Sequence, residues 1–210
     1  MNGEKVKEKR QIDFNISNNK SLKENCGILL KCSFEKLLVN DYELLQDKVH
    51  EVAITSLLSK YISAYIEDRD LSVDVEYNRM ITSDDIEKRI SKAIYITSFE
   101  KERRDLHEEI RCYIRPDIII HQRRTNDNNI LWMEFKIGED QSKCNFDRQK
   151  AWYAITQLHY KVGICVLIDI KNQIIVFQWI NINEIDLVEY AIRDGKLEEQ
   201  KRYTQMYTPA

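Results

Sequence analysis

The chain has 210 residues, 43% hydrophobic and 32% charged, with a net charge of −3. That is enough apolar material for one cored domain, and too acidic overall for a wholesale polyanion binder; contact with nucleic acid needs a local basic surface or metal ions that screen an acidic site. No apolar run reaches membrane-span length and the N-terminus lacks a signal peptide's apolar centre, while the five scattered cysteines form no CxxC pair or Cys/His cluster, so the reading is a reduced, cytoplasmic protein with no membrane contact.

Residues 1–40 read as an N-terminal extension, polar and mobile to about residue 25. From Cys26 to Leu38 the apolar content suffices for a short helix or docking segment. Asp41 to Ile66 predicts one helix capped by Asp41, with Ile54, Leu57, Leu58, Tyr61 and Ile62 at helical spacing. Glu51 belongs to that stripe or its edge, where a carboxylate needs a partner; its neighbour His50 points elsewhere. Leu71 to Asn78 predicts a strand with Val73, Val75 and Tyr77 on one face and Asp74 and Glu76 on the other.

Residues 80–111 predict a helical insertion. Ser83-Asp84-Asp85 starts it, Ile86, Ile90, Ala93 and Ile94 give a narrow apolar stripe, and 100–109 are nearly all charged. A stripe so narrow must pack on the core, on substrate or on a second copy, which leaves a homodimer open.

Arg115 to Ile137 predicts a β-hairpin. A β-branched segment from Asp117 to His121 precedes the polar turn Gln122–Asn129, which contains Asn-Asp-Asn-Asn. The second strand then alternates, Leu131, Met133, Phe135 and Ile137 against Trp132, Glu134 and Lys136. With the turn near Thr125 and Asn126, Asp117 falls opposite or nearly opposite Glu134, and two such carboxylates can share one hard cation. Beyond the hairpin, Asp147 to Tyr160 predicts a helix packed through Ala151, Ala154, Ile155 and Leu158, with Asp147, Lys150 and Gln157 on another face. Strands follow over Val162–Ile170 and Gln173–Trp179, then a short helix over Glu184–Arg193 ended by Gly195, and a loosely held tail over 196–210.

Pro116-Asp117 on one strand and Glu134-Phe135-Lys136 on the next resemble the PD-(D/E)xK nuclease superfamily, over about Leu44 to Trp179 but not over the N-terminal forty residues or the insertion. The resemblance implies an α/β domain over 41–195: a mixed central sheet flanked by helices, with a restriction-endonuclease-like αβββαβ core. It also implies a metal-dependent nuclease acting on nucleic acid, DNA ahead of RNA. Mg2+, with Mn2+ as a substitute, would be held by Asp117, Glu134 and the Phe135 main-chain carbonyl, with Lys136 acting on the water and the phosphate charge. Glu51 is a further ligand if it follows members with an acid on the first helix, or else a glutamate paired with a lysine or arginine. Gln157 resembles a glutamine found on the helix after that strand in some subfamilies. Lys150, Arg123 and Arg124 are candidate phosphate contacts, each also readable as a plain surface residue. Glu76 could line the site or be solvated, and His121 reads first as structural. The rival classes are a catalytically silent nucleic-acid- or protein-binding module that keeps the fold, and an enzyme using the same carboxylate site on another substrate.

Overall fold

The computed structural model describes residues 21–47, 50–66, 68, 70–76, 79–80, 90–91, 93–97, 109–138 and 144–208. In chain order, α1 (Leu22–Asn40), α2 (Tyr42–Gln46) and α3 (Glu51–Ser63) lead into β1 (Leu71–Val75). Four short strands follow: β2 (Arg79–Met80), β3 (Ile90–Ser91), β4 (Ala93–Thr97) and β5 (Glu109–Tyr113). Then come β6 (Ile118–Gln122), β7 (Asn129–Ile137), α4 (Asn145–Gln157), β8 (Val162–Asp169), β9 (Ile174–Ile180), β10 (Glu184–Arg193) and β11 (Lys196–Met206). The architecture is α/β around a seven-stranded mixed sheet in the order β1-β6-β7-β8-β9-β10-β11. Every neighbouring pair is antiparallel except β7 and β8, which are parallel and joined by α4.

Period-two alternation sorts the strand residues between two cores. On one face Met133, Phe135, Val166 and Phe177 pack with Leu29, Phe34 and Leu58 from α1 and α3. On the other, Trp132, Cys165 and Ile185 pack with Ala151 and Ala154 from α4. Phe34 stacks on Phe135 with ring centroids 6.3 Å apart, tying α1 to the middle of the sheet. α4 closes tightly on β8 because Gly163 carries no side chain: a Cβ there would lie 2.8 Å from Ile155 Cδ1 and 3.2 Å from the Ala151 carbonyl oxygen. Among the described residues, no helix is long and apolar enough to cross a membrane.

The structure departs from the sequence reading in four places. Residues 22–40 form a core helix rather than an extension. A capping box starts it, with the Glu24 amide donating to Ser21 Oγ and the Ser21 amide to Glu24 Oε2, and it buries Cys26, Leu29, Leu30, Phe34, Leu37 and Leu38. Asp41 to Ile66 is not one helix: α2 and α3 are separate, and the Asp41 carboxylate accepts from the Tyr61 hydroxyl instead of capping α2.

Where it is described, the 80–111 segment is strand rather than helix, with β2 paired to β3 and β4 to β5. Ile94 and Ile96 are β-branched and suit a ladder better than a helical stripe. Ser83, Asp84, Asp85, Ile86 and the charged run at 100–108 lie outside the described residues. Finally, Glu184–Arg193 is a strand, and the expected tail is its partner, β11.

The ends of the inserted segment are fastened together. Val75 pairs with Ile118, the Glu76 amide donates to the Asp117 carbonyl at 3.3 Å, and Arg115 meets Glu76 at 3.4 Å. Replacing residues 80–111 by a short turn is therefore expected to leave a cooperatively folded protein. Loss of the thermal unfolding transition in that variant would make the segment part of the core.

Candidate active site

Asp117 sits one residue before β6. The ladder pairs Ile118 with Met133, so the next step sets Asp117 against Glu134. The Asp117 carboxylate accepts a hydrogen bond from the Phe135 amide at 2.7 Å, which fixes it on the hairpin beside Glu134. Burial pushes its carboxyl above the ordinary value, against the opposing pull of the Phe135 amide and of Lys150. Glu134 is fully buried. Trp132 Nε1 donates to its Oε1 at 2.7 Å, and Lys150 Nζ to its Oε2 at 2.5 Å. Burial pushes the Glu134 carboxyl up to about 8; Lys150 pulls the other way, and the negative charge of Asp117 and Asp147 adds to the rise.

Two lysines answer this acidity. Lys136, two residues on along β7 and so on the same face as Glu134, reaches Glu51 at 3.5 Å and Asp147 at 4.0 Å. Glu51, the first residue of α3, also accepts the Ile137 amide at 3.2 Å. Lys150 bridges Glu134 and Asp147, the latter at 3.0 Å. Partial burial alone would lower the Lys136 ammonium's pKa, but Glu51 and Asp147 outweigh it and raise the value; Glu134 and Asp147 do the same for Lys150. Both ammonium groups therefore stay protonated at neutral pH. Asp147 and Glu51 each lie in the first turn of a helix, where the dipole favours a negative charge.

The structure thus gathers Asp117, Glu134, Lys136, Glu51 and Lys150. It adds Asp147, which the sequence placed only on the Lys150 face of a helix. The signal was there in the i, i+3 spacing of Asp147 and Lys150, but it becomes a contact with Lys136 only through the angle at which α4 crosses β7.

Other candidates lie apart. Gln157 is the last residue of α4, about 10 Å along the axis from Lys150. The Arg123 guanidinium is committed to Asp74, with Nε at 2.9 Å, and His121 Nε2 meets the same carboxylate at 2.9 Å. Arg124 is an exposed turn residue with a left-handed backbone, φ 67°. Glu76 pairs with Arg115, and His50 precedes α3 without a side-chain cap bond.

The arrangement offers hard oxygen donors beside protonated ammonium groups at the end of β7, where α3 and α4 both reach it. Among the described residues no group of three or more His, Cys, Asp or Glu side chains is placed to hold a metal. Cys26, Cys32, Cys144 and Cys165 form no disulfide, and Cys165 is the neighbour of Glu134 across the parallel ladder. Compared with family models, with curated proteins and with solved structures, the chain matches none.

Proposed function

We propose that the chain is a metal-dependent nuclease of the PD-(D/E)xK type, hydrolysing phosphodiester bonds in DNA in preference to RNA. The observation that carries this reading is the hydrogen bond from the Phe135 amide to Asp117, which sets a second carboxylate beside Glu134 with Lys136 on the same face. The order α3-β1-β6-β7-α4-β8, with β2 to β5 inserted, supports it, because the superfamily core runs α-β-β-β-α-β.

The donor chemistry fits Mg2+ or Mn2+. Magnesium is commonly held by one or two carboxylates with water completing its shell, so a cluster of three acids is not required. Burial raises the Glu134 carboxyl to about 8 even with Lys150 against it, and a cation bound beside it would favour the ionised form. Asp117, Glu134 and the Phe135 carbonyl would hold the ion, with Glu51 at its margin. When bound, the ion polarises the phosphoryl oxygens and lowers the pKa of a coordinated water. Lys136, its ammonium held by Glu51 and Asp147, stabilises negative charge as it grows on the phosphate oxygens. Asp147 orients both lysines, and Lys150 must swing off Glu134 Oε2 before that oxygen serves as a ligand.

A second reading, a silent binding module on the same scaffold, is favoured by one observation. Glu134 is fully buried and both of its oxygens are already engaged. Calorimetric titration with Mg2+ and a cleavage assay on plasmid, single-stranded and branched DNA separate the two readings. The nuclease reading expects metal binding that is lost in Glu134→Gln, and cleavage that stops with chelator and returns with Mg2+ or Mn2+. Nucleic-acid binding with neither metal uptake nor cleavage would establish the binding module instead.

A further inference from the structure

Phe146 stands at the second position of α4 and is 57% exposed, the only aromatic among the exposed large apolar side chains of the described residues. Leaving a phenyl ring in water forgoes the burial that stabilises the other rings of this chain. Its position is specific. The Lys150 ammonium lies 5.7 Å from the centre of the Phe146 ring and 2.5 Å from Glu134 Oε2. The ring therefore roofs the lysine that sits on the buried carboxylate, within one nucleotide's span of the site.

We infer that Phe146 is a stacking platform for an unpaired base, so that the site takes its substrate as single-stranded or locally melted nucleic acid. The inference rests on the nuclease reading of the same site. A ring beside a phosphate-handling centre can do what a charged surface cannot, which is to bind the flat face of a base. Base-on-aromatic stacking tolerates any sequence, because every base has such a face. Within a duplex that face is covered by the neighbouring base pair, so the platform selects strands whose bases are already free or are turned out of the stack. A base lying on Phe146 has its phosphate within reach of Lys150, whose ammonium lies 5.7 Å from the ring centre. The chain's net charge of −3 fits the same picture, since affinity here comes from a local contact rather than a broad basic surface.

The test compares wild type, Phe146→Ala and Phe146→Trp. Fluorescence anisotropy measures binding to a short labelled single strand and to a series in which one base at a time is absent; cleavage of the same strands is followed in Mg2+. Stacking of this kind predicts single-strand affinity roughly ten-fold weaker in Phe146→Ala and retained in Phe146→Trp. At one position of the series, loss of the base weakens wild type but not Phe146→Ala. Equal single-strand affinity of wild type and Phe146→Ala, with cleavage intact, overturns the platform and leaves the nuclease reading standing. Neither binding nor cleavage by wild type overturns both. A change of self-association in Phe146→Ala, seen by sedimentation and without change in strand affinity, assigns the ring to a protein contact and overturns the platform as well.

Discussion

Lys136→Met is expected to yield a folded protein whose cleavage rate is down by about 10²–10³, the cost of removing one preorganised charge from a developing oxyanion. The fold should survive because Lys136 meets Glu51 at 3.5 Å with side chains 33% and 40% exposed. A pair so open to water contributes about 1 kcal/mol or less. Methionine keeps the aliphatic stem against the sheet while removing the charge, so the variant separates electrostatics from packing. On the nuclease reading the ammonium acts only in the transition state, so Mg2+ affinity should change little while kcat falls. Calorimetry, thermal melting and single-turnover cleavage check the three parts. A variant that melts and binds Mg2+ like wild type and cleaves at more than half its rate would remove Lys136 from the mechanism.

The largest stability effect is expected at Asp74→Ala, on the strand beside β6. Asp74 lies on β1 with its side chain 11% exposed, between His121 at 2.9 Å and the Arg123 guanidinium. Removing one partner of a buried polar cluster typically costs about 3–5 kcal/mol. Arg123 is itself well exposed and can return to water, which favours the lower end, about 3 kcal/mol, or roughly 6–12 °C in Tm. Acid should erode the same contribution. Burial alone would raise the Asp74 pKa, but the hydrogen bonds from His121 and Arg123 outweigh it and hold the carboxyl well below its ordinary 3.8. A depressed folded-state pKa stabilises fully above the unfolded value and is lost as pH falls through the folded one. Wild type should therefore lose stability below about pH 4 more steeply than Asp74→Ala. Parallel melting curves for the two proteins from pH 6 to pH 2 would show that the cluster contributes nothing.

The grouping of the candidate site's central residues was legible because they lie on one hairpin. Strict alternation from Leu131 to Ile137 fixes which side chains share a face, and a short polar turn fixes register, so Asp117, Glu134 and Lys136 follow from local pattern alone. What was lost depends on distant partners. Ile185, Val188 and Ile192 satisfy helical spacing, yet the segment pairs on both sides as β10. The buried positions pass from Ile185 and Leu187 on one face to Val188, Tyr190 and Ile192 on the other, so no single face is apolar along the whole strand and the period-two signal is lost. α1 had the right apolar residues, but nothing in them says that they cover Phe135 and Phe177 a hundred positions later. Asp147 entered the site through the seating of α4 on Gly163, which no spacing rule contains.

The fastening of Glu76 to Asp117 and Arg115 has a consequence for how the chain can vary. Residues 77–114 form a closed loop whose ends meet at one point, and closing such a loop costs entropy that grows only with the logarithm of its length. Doubling or halving it changes folding free energy by about 0.6 kcal/mol. Length between these two anchor points is thus thermodynamically cheap, while the anchor itself is the backbone of Asp117, one of the two carboxylates of the candidate site. The lengthening that this permits has to fall before Ile114, which is buried in the second core beside the anchor.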